Sequence, residues 1–432
     1  MHKNRVRNSL KFSFLDGVFA SGMTGLTSDY ITPYALILKA TSLHIGFLSA
    51  MPNLSSALVQ LYSADIVDRF KSRKKVINLF VFLHLLMFIP IMLVPYIFSK
   101  PVIFLIIFIT LLNSFNAIAL PAWGSLISEY IPAKSRGKYF GWRNKILTII
   151  TVFFSFVSGF ILHIFRDNVL RGFLIILILA FTFRFLSWYF LTKMYEPPYK
   201  LKEDAYFSFF DFIKRLKVSN FAKFVLFVAL LHFCVNIASP FFSVFMIRDL
   251  KFNYIIYTIL VTTVPIFNIL TINRWGRLAD RVGNLKILKI TSLLIASLPF
   301  WWIINQNPIF LILIQGLSGF AWAGFNLSAT NFIYDAVSPT KRTRCIAYFN
   351  VFVGLASCFG ALFGGYLVNI LPSLFGYRIL SLFLIASILR FLVASLLPKK
   401  IREVRDAEEL NNIDLFFNIV GLKPNLDRDL KK

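Results

Sequence analysis

The chain has 432 residues, 57% of them hydrophobic and only 15% charged, with 50 phenylalanines and a net charge of +26. Soluble domains carry about 25% charged residues, so this composition excludes an ordinary water-soluble fold and points to lipid as the solvent. The charge alone would suit nucleic acid, but its placement along the chain excludes that partner.

Crossing the hydrocarbon takes roughly 20 apolar residues as a helix. Twelve such segments run near 12–37, 44–66, 76–98, 102–127, 145–165, 171–193, 222–247, 253–274, 286–304, 308–334, 347–370 and 377–397. Runs such as Ile103 to Ile109 lack the alternation of a membrane-spanning strand. The expected fold class is therefore an all-α membrane protein with twelve transmembrane helices. The start, Lys3 to Lys11 followed by apolar residues, resembles a signal peptide, but the apolar stretch is long and contains Asp16 and Asp29, so the first segment is expected to be retained. With both termini placed in the cytoplasm, 37 of the 46 Lys and Arg fall on the cytoplasmic side, seven on the outer side, and Arg184 and Arg390 within helices. That asymmetry is the positive-inside pattern, and it sets the basic excess against anionic inner-leaflet lipid.

The chain repeats itself. Ser239-Pro240-Phe241 stands 207 residues after Thr32-Pro33-Tyr34; Asp335 and Glu129, Gly365 and Gly159, and Arg390-Phe-Leu and Arg184-Phe-Leu are each 206 apart. Ala64-Asp-Ile-Val-Asp68-Arg69 is echoed by Gly276-Arg-Leu-Ala-Asp280-Arg281, at an offset of 212. Two homologous six-helix halves follow, a common construction among membrane transporters. The division expected is 1–194 for the first bundle, 195–221 for a cytoplasmic linker with an amphipathic helix, 222–398 for the second bundle and 399–432 for a cytoplasmic tail. Glu196-Pro197-Pro198 bars helix continuation into the linker.

These features together resemble the major facilitator superfamily over nearly the whole chain to about residue 398. The turn after the second helix in that family is written G-x-x-x-D-R-x-G-R-K. The second copy here keeps Gly276, Asp280, Arg281 and Gly283 and departs at Asn284; the first keeps Asp68, Arg69, Arg73 and Lys74 but has Ala64 and Lys71 at the glycine positions. The resemblance implies two six-helix bundles rocking about a central cavity. It also implies a cytoplasmic gate of ion pairs, drawn from Asp68, Arg69, Arg73, Glu129 and Arg136 in one half and Gly276, Asp280, Arg281, Gly283, Asp335 and Arg342 in the other. The plainer reading of these charges is insertion and topology only.

The resemblance implies too that helices 1, 4, 7 and 10 line the cavity. In the first, Gly22, Gly25, Asp29 and Pro33 fall on one stripe. Asp29 is matched in the repeat by Asn236, on one face with His232. Asn113, Asn116 and Trp123 share a face of the fourth segment; Gln315, Ser318, Trp322 and Asn326 share one of the tenth. Amides and indole N–H groups suit a polar cargo, though they also join helices to one another. Asp29 and His232 are the candidates to carry a coupling proton. Arg184 and Arg390, on helices the family places at the periphery, are expected to anchor toward the inner headgroups, and Asp16 to be local and structural.

Three scattered cysteines and five histidines form no metal-ligand spacing, and no phosphate-binding loop is present, so neither an enzyme nor a cofactor is expected. The expected function is a secondary transporter of a small polar solute in the cytoplasmic membrane, working by alternating access, open to proton coupling and monomeric. The alternatives are a drug exporter of the same fold, disfavoured because the fifth segment lacks a G-P-x-x-G-G string, and a receptor or scaffold that has kept the fold without transporting.

Overall fold

The computed structural model describes residues 2–197, 219–337 and 339–405. The expected amphipathic linker helix and most of the tail lie outside these residues. Among the described residues the helices form twelve spans. Span 1 is His2–Thr27 followed by Ile31–Ile37, span 2 Ser42–Phe70, span 3 Arg73–Leu86 followed by Phe88–Ile97, span 4 Pro101–Tyr130, span 5 Ala133–Ile164 and span 6 Val169–Thr192. Span 7 is Asn220–Val244, span 8 Tyr254–Val282, span 9 Asn284–Ile304, span 10 Pro308–Ala336, span 11 Pro339–Ile370 and span 12 Arg378–Leu396. Ten are long and apolar enough to cross a membrane by length and composition. Spans 1 and 2 fall short of that measure: span 1 opens on basic turns and breaks at residues 28–30, and serines, Asn53, Gln60 and Asp65 dilute the apolar surface of span 2.

The two breaks correct the expectation of continuous helices, and prolines explain them. Proline has no N–H for the carbonyl four residues back. Pro33 therefore leaves the Asp29 carbonyl without a helical donor, and Pro90 does the same to Leu86, where the first piece of span 3 ends. In lipid such a carbonyl must find another donor, and the fold supplies donors from distant residues. Tyr257 Oη in span 8 donates to the Asp29 carbonyl. Tyr34 Oη donates to the carbonyl of Ile91 (3.1 Å), freed by Pro95. Arg390 Nη1 donates to the carbonyl of Ile295 (3.2 Å), freed by Pro299.

Packing repeats between the halves. Span 1 lies on spans 5 and 6, span 4 on spans 2 and 3, and span 3 on span 6; span 7 lies on 11 and 12, span 10 on 8 and 9, and span 9 on 12. The bundles meet through span 2 on span 11 and span 5 on span 8. This seam is tightest at the end opposite the chain termini. A Cβ on Gly159 of span 5 would stand 2.0 Å from Thr258 Oγ1 of span 8, so only glycine permits that approach. Tyr30 Oη donates to the carbonyl of Ser155 (2.7 Å) and lies 2.6 Å from Thr258 Oγ1, tying spans 1, 5 and 8 together. Toward the end that carries the termini and the Asp–Arg turns, the same two spans lose cover. Tyr257 and Thr262 of span 8 are buried, whereas Phe267 and Leu270 are exposed; Ser155 of span 5 is buried, whereas Asn144, three turns earlier on the same face, is exposed.

Both Asp–Arg turns close on a residue of positive φ, Lys71 in the left-handed helical conformation (φ 51°, ψ 22°) and Gly283 in an extended one (φ 83°, ψ 158°). A side chain in the conformation of Lys71 costs roughly 1 kcal/mol, and the conformation of Gly283 is one that essentially only glycine adopts. The first turn accepts that strain and the second avoids it.

Candidate functional site: a polar cavity beside Arg184

Spans 1, 2, 3, 4 and 6 draw apart around a cavity of about 600 Å³, with Ser239 and Pro240 of span 7 on the remaining side. Apolar patches such as Leu48, Ile91 and Leu177 alternate in its wall with Thr24, Thr27, Ser28, Ser49, Asn53, Asn113 and Asn116. Small-molecule sites are commonly of this size and mixed character. The hydroxyls of Thr24 and Thr27 donate one turn back to Ala20 and Met23 (2.9 Å each), and the amides of Asn53 and Asn113 donate to Ser49 and Ile109 (2.8 and 2.9 Å). Their remaining capacity is chiefly as acceptors.

The cationic donor in the wall is Arg184, 5% exposed. Its Nε donates to His84 Nδ1 (3.1 Å), Nη1 to Ser187 Oγ (3.3 Å) and Nη2 to Asn116 Oδ1 (3.4 Å). Because His84 accepts at Nδ1, the proton of its neutral ring sits on Nε2. Ser187 in turn donates to Asp16 Oδ1 (2.6 Å), so a hydroxyl stands between the buried carboxylate and the guanidinium. Asp16 also lies in the field of Arg143, whose guanidinium sits 4.6 Å from the Trp123 ring centroid and donates to the Ser13 carbonyl (3.2 Å).

These contacts correct the sequence reading at several points. Arg184 turns into its bundle and lines the cavity instead of reaching for headgroups. Arg390 turns inward as well, donating to the carbonyls of Cys234, Ile295 and Val235 (3.4, 3.2 and 3.0 Å). Asp16 belongs to the Arg184 network and is not merely local. The stripe of Gly22, Gly25 and Asp29 faces away from the cavity: a Cβ on Gly22 would meet Phe183 and Phe154, and one on Gly25 the Thr151 carbonyl, so this face is where spans 5 and 6 approach closely. The face of Thr24, Thr27 and Ser28 lines the cavity instead.

Of the expected cavity residues, Asn113 and Asn116 line it. Asp29 sits in the break of span 1, beside Ser155. His232 packs against Trp322 and Phe325 (ring centroids 5.7 and 6.4 Å), and its carbonyl accepts the Asn236 amide (2.9 Å). Gln315 reaches the Leu260 carbonyl (3.2 Å). Trp123 stacks under Arg143 with its indole N–H beside Asp16. Asn326 is exposed. Neither proton-coupling candidate lines the cavity wall.

At the Asp–Arg end each bundle carries its own charge cluster. Arg73, 4% exposed, pairs with Glu129 (2.7 Å). Glu196, just past span 6, accepts from Ser72 Oγ (2.5 Å) and the backbone N–H groups of Arg73 and Lys74 (2.7 and 3.2 Å), covering the start of span 3. In the second bundle Asn284 stands at the start of span 9 and donates to Asp335 (2.8 Å), while Glu403 accepts from the Leu285 N–H (2.6 Å). The cation here is Arg405, on Asp335 (2.7 Å) and Asp280 (3.1 Å). Those two carboxylates, Asp335 first, raise its pKa above the ordinary arginine value. Sequence reasoning missed Glu196, Glu403 and Arg405, although the two glutamates stand 207 residues apart, the offset of the repeat. Arg136 donates to the carbonyls of Ile131 and Ser128 (3.0 and 2.6 Å), holding its own turn. Asp68 and Arg69 are exposed, Arg281 is half-buried, and the side chain of Arg342 lies outside the described residues. Gly276 meets Leu327 of span 10.

The sequence profile of the MFS_1 like family matches residues 10–379. The uncharacterized MFS-type transporter MJ1317 of Methanocaldococcus jannaschii is 25% identical over 370 residues, which span 82% of this chain and 88% of that protein. Among solved structures, a variant of the nucleoside transporter NupG superposes with a TM-score of 0.73 at 15% identity, covering 90% of this chain and 100% of that one. A D-xylose-proton symporter superposes at 0.69 and 14% identity, covering 93% and 99%. At such identities the two structures share the fold, and nothing finer follows from them.

Proposed function

Because the chain belongs to the MFS_1 like family, we propose that this secondary transporter carries a small polar solute across the cytoplasmic membrane by alternating access, with both termini in the cytoplasm. The observation that supports the reading most is the 600 Å³ polar cavity between helices that otherwise pack on one another. It lies beside a seam sealed at one end by Gly159, Thr258, Tyr30 and Tyr257. The charge asymmetry puts the loosely covered end of the seam in the cytoplasm. In the opposite state the bundles tilt, the glycine contact opens and the Asp–Arg ends approach, as in the rocking described for such repeats. The ion pairs at those ends lie within each bundle. They keep each helix end rigid while the bundles move, and their exposed carboxylates, Asp280 above all, are free to bias the closure by about 1 kcal/mol or less.

The test is accessibility from two sides. Thr24→Cys, in the cavity wall, is to be labelled with a membrane-impermeant maleimide in oriented vesicles; the native Cys234, Cys345 and Cys358 are buried. Alternating access predicts labelling from the cytoplasmic face, and from the outer face once Gly159→Trp holds the seam apart. Labelling from one face under both conditions rejects the reading in favour of a static scaffold.

A further inference from the structure

We infer that the cavity of the first bundle is an anion site: Arg184 receives the carboxylate or phosphate of a hydroxylated solute. This rests on the cavity being the solute site. Three observations carry it. First, the guanidinium has five N–H groups and three are engaged, by His84, Ser187 and Asn116, so two remain for a ligand on a residue that lines the cavity and is 5% exposed. Two N–H groups in a planar fork are the donor pattern that binds carboxylate and phosphate oxygens.

Second, the charge is not cancelled. Among the described residues no carboxylate lies within 4.0 Å of Arg184, because the Ser187 hydroxyl stands between it and Asp16. Arg143 shares the same carboxylate's field, and the hydrogen bond at Nδ1 keeps His84 neutral. One carboxylate against two guanidiniums leaves this cluster with one positive charge in excess, Asp29 standing 13 residues further along span 1, beside Ser155, and a buried charge needs a partner. A bound monoanion supplies it.

Third, the rest of the wall suits the rest of such a molecule. Thr24 and Thr27 hold their donors in the helix and offer acceptors, and Asn53 and Asn113 offer an acceptor and one remaining N–H each, which match solute hydroxyls. A neutral polyol gains those bonds but leaves Arg184 without its anion.

The experiment uses the purified full-length protein in uncharged detergent at fixed ionic strength. Thermal midpoints are read with glucose, gluconate, glucose 6-phosphate and inorganic phosphate, each at millimolar concentration, since a ligand held by the folded state raises the midpoint. Gluconate, glucose 6-phosphate or phosphate is expected to raise it, and glucose is not. Arg184→Gln is expected to abolish the response and Arg184→Lys, which keeps the charge but not the fork, to weaken it about tenfold. If Arg184→Gln does not fold, Arg184→Lys decides: an unchanged affinity overturns the role of the fork. A wild type that responds to none of the three anions overturns the proposal. Glucose binding that survives Arg184→Gln also overturns it while leaving the solute cavity in place. An anionic lipid headgroup offers the same chemistry, so the measurement is repeated in phosphatidylcholine nanodiscs with and without phosphatidylglycerol. Stabilisation by phosphatidylglycerol alone assigns the site to lipid and overturns the solute.

Discussion

The two bundles carry an arginine at the same place in the repeat and use it in opposite ways. Arg184 makes its bonds to side chains, His84, Ser187 and Asn116, at the edge of a cavity. Arg390, 206 residues later, makes its bonds to three backbone carbonyls. Counting from the N-caps of spans 3 and 9, Ser72 and Gly283, His84 and Ile295 hold one position, and Phe88 and Pro299 another four residues on. In span 9 the proline frees the carbonyl of residue 295 and the arginine fills the gap. In span 3 that position is Phe88, and the imidazole of His84 is the partner instead. Two substitutions at equivalent points thus turn a structural tie into a group with donors to spare. The difference teaches that one duplicated frame holds a half with a cavity at this arginine and a half that uses the same arginine as a structural tie.

The largest effect is expected where the tie is structural. Arg390→Leu leaves the Ile295 carbonyl, freed by Pro299, without a partner in a buried setting, and removes a second bond from the helical carbonyls of Cys234 and Val235. At about 1–3 kcal/mol for one orphaned buried group, offset in part by relief of the buried charge, the loss should be about 1–2 kcal/mol. Unfolding of the purified variant in detergent measures it. Arg184→Gln should destabilise less, because His84 and Asn116 line a polar cavity and the glutamine amide still offers donors to them. An Arg390→Leu midpoint no lower than that of Arg184→Gln would break the comparison.

A second effect sharpens it. Pro299→Ala restores an N–H for the Ile295 carbonyl and so competes with Arg390. The double variant Pro299→Ala with Arg390→Leu should be less destabilised than the two single changes added together, by about 1 kcal/mol. Strict additivity would mean that the proline does not prepare the arginine's place.

The fold was legible at the scale of helices and the repeat, and the site only in part. Twelve apolar runs and the Arg184–Arg390 spacing survive folding because hydrocarbon thickness and gene duplication both write themselves into residue spacing. Asn113 and Asn116 were found for the same reason, lying on one face of a span that stays regular there. The face of span 1 was misread. Small residues mark close packing as readily as they mark a cavity, and Gly22 and Gly25 were packing against spans 5 and 6. Pro33 and Pro90 announced the two breaks, but which donor takes a freed carbonyl depends on a residue more than 200 positions away in the case of Tyr257. The inward turn of Arg184 is not legible in the sequence, because the rule that puts the sixth helix at the periphery says nothing about which way a long side chain turns.

The charge clusters at the Asp–Arg end repeat the lesson at lower stakes. In the first bundle the cation is Arg73, held at the start of span 3 and 4% exposed; in the second the corresponding place is Asn284, and Arg405 comes from beyond span 12 with 37% exposure. Arg405 forms a fork on Asp335 (17% exposed) and a single bond to Asp280 (73% exposed). The arm to Asp280 is open to solvent and salt, so it contributes a few tenths of a kcal/mol at most. Arg405→Gln should therefore lower the midpoint by less than about 1 kcal/mol at low salt. That difference should vanish near 1 M salt, where charges are screened beyond about 3 Å. Arg73→Gln should cost more and keep its cost in salt, because its guanidinium is buried against Glu129 and beneath Glu196. Equal, salt-insensitive losses for the two variants would show that the exposed cation of the second bundle carries as much load as the buried one of the first.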